Sequence, residues 1–275
     1  LEKQAGRRFF LFLHGYDPHR PYRSTPRDRR ALGLGPERSE GILDACRTQD
    51  SAAAMEPFIR EYDAAIRRGD RSLGTFIDGV AGLGLLDNTV VVFTSDHGEE
   101  FLEHGRCFHI RSLYGEVLKV PLIFYVPGLE PSRVDALVPA SVSVAPTLLE
   151  LVSPAGTAMA GHSLLPYFHG RGEPMEVVSE TSSRYVNGHG QGRLRSLTRS
   201  NEKLIQWLSI GRSQYFDLDT DPGETRALDG APRAALLERR LETWARRHTL
   251  AASTDRPVSL PRALRKRLEA MGYLQ

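Results

Sequence analysis

The stretch Thr89–Glu99, with the sequence TVVVFTSDHGE, joins an apolar, β-branched run to a group of polar and charged residues. Apolar runs of this kind are typical of a strand buried on both faces, as in a parallel α/β sheet. In such sheets, ligands collect beyond the carboxyl ends of the strands. The sequence therefore predicts that this strand delivers Asp96 and His97 to a binding crevice, with Gly98 allowing a sharp turn there.

The adjacent Asp96 and His97 offer a carboxylate and an imidazole, a pair that suits a divalent cation. The alternative interpretation is an aspartate that caps a helix beside a surface histidine. More imidazoles surround this strand end: His104 and His109 follow it, and His14 and His19 follow another apolar run, Phe9–Leu13. That run predicts a second buried strand, so both strand ends would bring imidazoles to one edge. Imidazoles there could bind an anion or transfer a proton.

Apolar patterning predicts that residues 1–172 form an α/β core. Strands and helices alternate along this part of the chain, which is typical of a layered α/β domain. The predicted strands are 9–13, 89–94 and 120–126, and the predicted helices are 59–83 and 143–152.

The character of the sequence changes in residues 173–275. Short segments of alternating polarity, joined by tight turns, predict an antiparallel meander, and two helices complete a small α+β subdomain. The predicted strands are 193–198, 203–208 and 213–218, and the predicted helices are 232–247 and 261–271.

Composition excludes several classes of protein. The 275 residues include 36 Lys+Arg and 34 Asp+Glu, a net charge of +2, and 40% are hydrophobic, which excludes a collagen, a disordered chain and a membrane-embedded one. This near-neutral balance leaves no electrostatic footprint for nucleic acid. No apolar run approaches the roughly 20 residues of a membrane span. The two cysteines could form at most one disulfide, and their context predicts neither a metal clip nor a CxxC redox pair.

Several motifs, taken in order, resemble the sulfatase family of the alkaline phosphatase-like superfamily. The resemblance covers nearly the whole chain and implies a partial alkaline phosphatase-like α/β/α sandwich with a small C-terminal α+β subdomain. The matching segments are FFLFLH (9–14), DPHRPY (17–22), GLLDNT to SDHGE (84–99), EHG (103–105), VPLI (120–123), VAPTLL (144–149), GHSLLP (161–166), YFDL (215–218) and DPGE (221–224).

The resemblance assigns roles to four residues of this chain. Asp96 and His97 match two metal ligands, for which Ca²⁺ is the expected ion and Mn²⁺ or Zn²⁺ are alternatives. His19 matches the histidine that contacts the sulfate group and the leaving-group oxygen. His109 stands where many sulfatases carry a substrate-binding lysine. His19 and His109 are therefore the candidate catalytic and substrate-binding residues.

The resemblance also implies a nucleophile that this chain does not carry. The family converts a Cys or Ser in a C/S-x-P/A-x-R motif to formylglycine, and neither Cys46 nor Cys107 begins such a motif. Paired aspartates of the metal site are absent as well. We therefore expect a C-terminal part of a sulfatase-like protein, inactive alone, with formylglycine encoded before Leu1. A split or truncated gene product and a decayed pseudoenzyme are the alternatives.

The predicted function is hydrolysis of a sulfuric ester carried by a small molecule or a glycan. Alternatives in the same superfamily are a phosphodiester or phosphonate monoester hydrolase and a phosphoglycerol transferase. A non-catalytic protein that keeps the fold for binding is an alternative from another class. The resemblance implies an extracytoplasmic or periplasmic location.

Overall fold

A computed structural model describes residues 6–36, 42, 45–46, 52–109, 112–153, 159–181, 193–228, 230–248 and 261–262. The chain divides into two compact units, residues 1–238 and 239–275. The helices are α1 (Pro26–Ala31), α2 (Glu56–Gly82), α3 (Gly115–Leu118), α4 (Ala140–Val152), α5 (Leu165–Phe168) and α6 (Pro232–Arg247), with 3₁₀ turns at Ala52–Met55 and Leu86–Asn88. The strands are β1 (Val91–Thr94), β2 (Glu100–Phe101), β3 (Cys107–Phe108), β4 (Leu122–Tyr125), β5 (Glu176–Thr181), β6 (Leu194–Arg199), β7 (Glu202–Trp207) and β8 (Arg212–Asp217).

The long helix α2 confirms the helix predicted from apolar spacing. It buries Phe58, Ala64 and Ala65, while most of its remaining surface is polar, as expected of an amphipathic helix. Its buried Glu61 forms an ion pair with Arg29 of α1, and both side chains are almost fully buried. Pairing of this kind is what makes a buried charge tolerable.

Strands β1 and β4 pair in an antiparallel sense, so the predicted parallel sheet is wrong for this pair. The register joins Val91 to Tyr125 and Thr94 to Leu122. The reason is that the intervening chain folds into a hairpin and α3 and then returns along β1 in the opposite direction. Ile123 of β4 is 58% exposed, so the strand is not buried on both faces in this chain.

The apolar run Phe9–Leu13 was predicted as a buried strand, and this prediction is wrong. The run has no strand assignment, and its side chains are exposed, Phe10 to 82%. A run of this composition becomes a buried strand only when neighbours supply ladder hydrogen bonds and cover its faces. No strand of the described chain pairs with it.

The hairpin of β2 and β3 packs on α2 through an apolar cluster, and a disulfide ties it to the segment before α2. Phe101 of β2 packs with Tyr22, Phe58 and Met55. Cys107 of β3 forms a disulfide with Cys46, with the two Cα atoms 5.9 Å apart. The sequence did not decide whether the two cysteines form a disulfide, and the structure shows that they do.

The predicted meander is confirmed as a four-stranded antiparallel sheet in the order β5-β6-β7-β8. Ile205, Trp207 and Phe216 on this sheet pack with Leu113 and Tyr114, which precede α3. This packing brings the sheet against the segment that follows the β2–β3 hairpin.

The unit 239–275 is described only through residue 248 and at 261–262. It contains the C-terminal turns of α6, where the ring of Trp244 stacks on His248 at 4.5 Å between centroids. Helix α6 was predicted with the same bounds, but the helix predicted at 261–271 lies outside the described residues apart from its first two. Among the helices described, none combines the length and the hydropathy needed to cross a bilayer.

Candidate functional site

The turn after β1 is fixed by close backbone packing on α3. The Gly98 N–H donates to the Val117 carbonyl at 2.8 Å. A Cβ atom on Gly98 would lie 2.0 Å from the Glu116 carbonyl oxygen, closer than any side chain tolerates. The glycine was predicted to permit a sharp turn, but φ at Gly98 is not positive, so close approach is the reason for a glycine here.

Replacing Gly98 with alanine is therefore expected to destabilise the protein by about 1–3 kcal/mol or more, because the added methyl group meets backbone rather than a flexible side chain. Gly74 inside α2 is the control, because a Cβ there meets nothing within 4 Å. Gly74→Ala should stabilise the helix by up to about 1 kcal/mol. Urea unfolding measures both, and equal effects would contradict the packing argument.

His97 has the tautomer that a metal ligand requires. Its Nδ1 lies 2.8 Å from the Gly98 carbonyl oxygen, which can only accept, so Nδ1 carries the hydrogen. The lone pair is then on Nε2, which lies 3.6 Å from a carboxylate oxygen of Asp96. The Asp96 side chain is 63% exposed and open to solvent. A cation between these two atoms would find an imidazole nitrogen and a carboxylate, so the pair fits a divalent metal.

His19 is held by a compact turn in the segment after the first apolar run. Its N–H donates to the Tyr16 carbonyl at 2.9 Å, and its carbonyl accepts from the Tyr22 N–H at 3.1 Å. The Arg20 guanidinium lies 4.6 Å from the centroid of the Phe108 ring, which links this turn to β3. His19 Nδ1 donates to the Arg20 carbonyl at 2.8 Å, so Nε2 is the ring nitrogen that does not take part in this hydrogen bond.

His109 is oriented by Glu99, a residue that the sequence analysis did not single out. Glu99 Oε1 lies 3.1 Å from His109 Nδ1, and the Glu99 side chain is only 4% exposed. Burial, together with the neighbouring Glu99 carboxylate, raises the pKa of Tyr22 well above its usual range. Glu99 is therefore a buried support for the His109 ring.

The three imidazoles form one cluster. The rings of His97 and His109 stack with centroids 3.8 Å apart, and the His109 and His19 rings meet edge-on at 5.5 Å. Each has its Nδ1 engaged by a protein acceptor, so each offers Nε2 to the site. The structure thus brings His19, His97 and His109 together beside Asp96.

Two other histidines of the sequence analysis are not members of this cluster. His14 reaches it only through Tyr16, whose ring lies 6.2 Å from that of His14 and 4.7 Å from that of His19. His104 stacks on Tyr114 at 3.6 Å, and its Nδ1 lies 2.5 Å from Glu116. His104 belongs to a separate buried group of acidic residues.

Comparison with known proteins places the chain in a family. A family model described as Sulfatase matches residues 1–154, more than half of the chain. The chain belongs to the sulfatase family. A second family model, N-sulphoglucosamine sulphohydrolase, C-terminal, matches residues 102–249 and so covers the described sheet β5–β8. The resemblance drawn from the motifs is confirmed.

Similar proteins are sulfatases by name. Arylsulfatase K of Bos taurus is 33% identical over 176 residues, which cover 59% of this chain and 32% of that protein. Endo-4-O-sulfatase of Bacteroides thetaiotaomicron is 28% identical over 182 residues, covering 65% of this chain and 35% of that protein. This sulfatase chain therefore spans about a third of the length of the curated relatives it matches.

A solved 2-O GAG sulfatase shares the fold, with a TM-score of 0.65 and 23% identity; the match covers 89% of this chain and 55% of that one. The predicted alkaline phosphatase-like α/β fold is confirmed. Membership in the sulfatase family also supports use of a divalent metal.

Proposed function

We propose that the sulfatase chain contributes the cation-binding and anion-binding side of an active site that hydrolyses sulfuric esters. The observation that carries this proposal is the group of three imidazoles, each anchored through Nδ1, next to the open Asp96 carboxylate. A sulfate ester is an anion with three peripheral oxygens, so it needs positive charge and hydrogen-bond donors on several sides.

Asp96 and His97 would hold the metal, with Ca²⁺ as the ion expected from the family and Mn²⁺ or Zn²⁺ as alternatives. When bound, such an ion neutralises ester oxygens and lowers the pKa of a coordinated nucleophile. The tautomer of His97 is already the one required, because its Nδ1–H is committed to the Gly98 carbonyl.

His19 and His109 are proposed to act on the sulfate group and the leaving oxygen. Because the Nδ1 atom of each histidine is already hydrogen-bonded, Nε2 is the nitrogen that each histidine would present to the ester. A proton on Nε2 can be donated to an ester oxygen. Glu99 and the stacked His97 ring fix the His109 plane, so the donor is oriented before the substrate arrives.

The formylglycine nucleophile implied by the family resemblance would come from sequence outside Leu1–Gln275. Cys46 and Cys107 are joined in a disulfide, so neither thiol is available for conversion to formylglycine. Within this proposal, residues 1–172 are the C-terminal portion of the catalytic domain and residues 173–275 are its small subdomain.

The substrate class proposed is a sulfated sugar. The names of the relatives support it, since one is an endo-4-O-sulfatase and a solved structure of the same fold is a 2-O GAG sulfatase. Glu99, which supports His109, is buried, whereas Asp96 is exposed. The site is therefore open to solvent on the side of the Asp96 carboxylate, as a bulky sugar requires.

The test is binding of glucosamine 6-sulfate to the full chain by titration calorimetry, with and without Ca²⁺. We expect His109→Asn to weaken binding about tenfold or more, because a hydrogen bond to a charged group contributes roughly 1.5–3 kcal/mol. His169→Asn, at an exposed position outside the cluster, is the control and should bind as the wild type does. Equal loss in both variants, or tighter binding of a phosphonate monoester, would contradict the proposal.

A further inference from the structure

A second group of potential metal ligands lies in the hairpin and α3, apart from the three-imidazole cluster. Glu100 on β2, His104 in the hairpin turn and Glu116 in α3 each point one ligand atom inward, and these atoms all lie within 4.8 Å of one another. Glu100 is 1% exposed, and the side chains of His104 and Glu116 are 9% and 18% exposed. Two carboxylates this close and this buried repel each other unless a cation lies between them.

Glu100 gives independent evidence that the group lacks a ligand. Its Oε1 atom is fully buried and makes no hydrogen bond of acceptable geometry in the described chain, although the buried Ser112 hydroxyl lies near this carboxylate. An unsatisfied buried carboxylate oxygen is costly, and such atoms are expected to coordinate a cation or be protonated.

His104 is oriented as metal-binding histidines are. Its Nε2 donates to the Glu224 carbonyl at 3.0 Å, and its ring stacks on Tyr114 with an interplanar angle of 6°. A ring nitrogen bound to a backbone carbonyl fixes the tautomer and directs the other nitrogen, here Nδ1, toward a metal. Nδ1 lies 2.5 Å from Glu116 Oε1, the distance of a short hydrogen bond, so a hydrogen lies between these two atoms when no metal is bound.

We propose that Glu100, His104 and Glu116 form a divalent-metal site of the zinc type, additional to the site at Asp96 and His97. One imidazole and two carboxylates are a donor set that Zn²⁺ accepts, with bonds of about 2.0–2.2 Å. Ca²⁺ is disfavoured, because it takes six to eight oxygen ligands. The ion would balance the two carboxylate charges and tie β2, the hairpin turn and α3 together.

A proton is the competitor for this position. Zn²⁺ binding would therefore displace a proton from His104, and the affinity should rise with pH. The groups facing His104 are the Glu100 and Glu116 carboxylates and the backbone carbonyl of Glu224, whose own carboxylate is paired with Lys203.

The experiment titrates Zn²⁺ into the EDTA-stripped full chain carrying Asp96→Asn and His97→Asn, which removes the other site. We expect one remaining equivalent to bind, with proton release seen as a dependence of the calorimetric heat on the ionisation enthalpy of the buffer. Adding Glu100→Gln should weaken Zn²⁺ binding roughly a hundredfold. Loss of a residue that only supports a metal ligand already lowers metal affinity by about 10- to 100-fold, and Glu100 is proposed as a ligand itself. Glu130→Gln, an exposed acid, is the matched control.

Circular dichroism reports whether each variant is folded, and Glu116→Gln is the second variant if Glu100→Gln unfolds. Co²⁺ in place of Zn²⁺ should give the absorption bands of a tetrahedral site that vanish in the same variants. If the chain without Asp96 and His97 binds no Zn²⁺, or if Glu100→Gln and Glu130→Gln bind it equally, the proposal is overturned and a proton occupies the position.

Discussion

Replacing Lys203 with methionine is expected to lower the free energy of unfolding by about 3–5 kcal/mol. Lys203 Nζ lies 2.7 and 2.9 Å from the two carboxylate oxygens of Glu224, and both side chains are at most 3% exposed. Burial lowers the pKa of Lys203, which the Glu224 carboxylate opposes. Removing the ammonium group leaves a buried carboxylate without its partner, and that is the costly event.

The control for this substitution is an ion pair of similar length that is exposed to solvent. Arg133 and Asp135 form a 2.8 Å contact with side chains 88% and 77% exposed, so Asp135→Asn should change the free energy of unfolding by at most about 1 kcal/mol. Guanidinium unfolding at pH 7 measures both variants. Similar small losses at the two positions would mean that solvent or Lys119 compensates Glu224, contrary to the structure.

Removing the disulfide is expected to cost about 4 kcal/mol of the free energy of unfolding. The bond joins residues separated by 61 positions, and chain-entropy arguments give about this value for a loop of that length. The loop closed by the disulfide contains α2. Its last residue, Cys107, lies on β3, two positions before His109. Binding of a sulfate ester should weaken in parallel, because His109 loses its anchored strand.

The measurement compares the wild-type chain with Cys46→Ala/Cys107→Ala, each with and without dithiothreitol. Reductant should lower the urea midpoint of the wild type and leave the double variant unchanged. Equal midpoints for the oxidised and reduced wild type would show that packing of Phe101 on α2, rather than the cross-link, holds the hairpin.

Local periodicity explains what the sequence predicted well. Helices α2, α4 and α6 and the strands β6–β8 follow from apolar spacing and turn residues, which act over a few positions. Asp96 and His97 were singled out because they come just after a predicted strand, whereas the roles of His19 and His109 came from the family resemblance and stay predictions. The structure brings His19, His97 and His109 into contact.

Long-range relations explain what the sequence missed. The direction of β4 against β1 depends on how the hairpin returns the chain, and nothing within Val91–Thr94 encodes it. The exposure of Phe9–Leu13 depends on pairing strands, which composition does not reveal. Glu99 was not singled out because its partner, His109, lies ten positions away along the chain. The signal that could have identified Glu99 is its place as a second acidic residue, after Asp96, in the segment SDHGEE.

The central claim is that His19 and His109 bind the sulfate group beside a cation held by Asp96 and His97. Long-range ¹H–¹⁵N NMR of the histidine rings tests it most directly, because each Nε2 is observed separately. We predict that Ca²⁺ moves the His97 Nε2 signal, and that glucosamine 6-sulfate added afterwards moves those of His19 and His109 while His169 stays still. Unchanged His19 and His109 signals at saturating sulfate ester would contradict the claim.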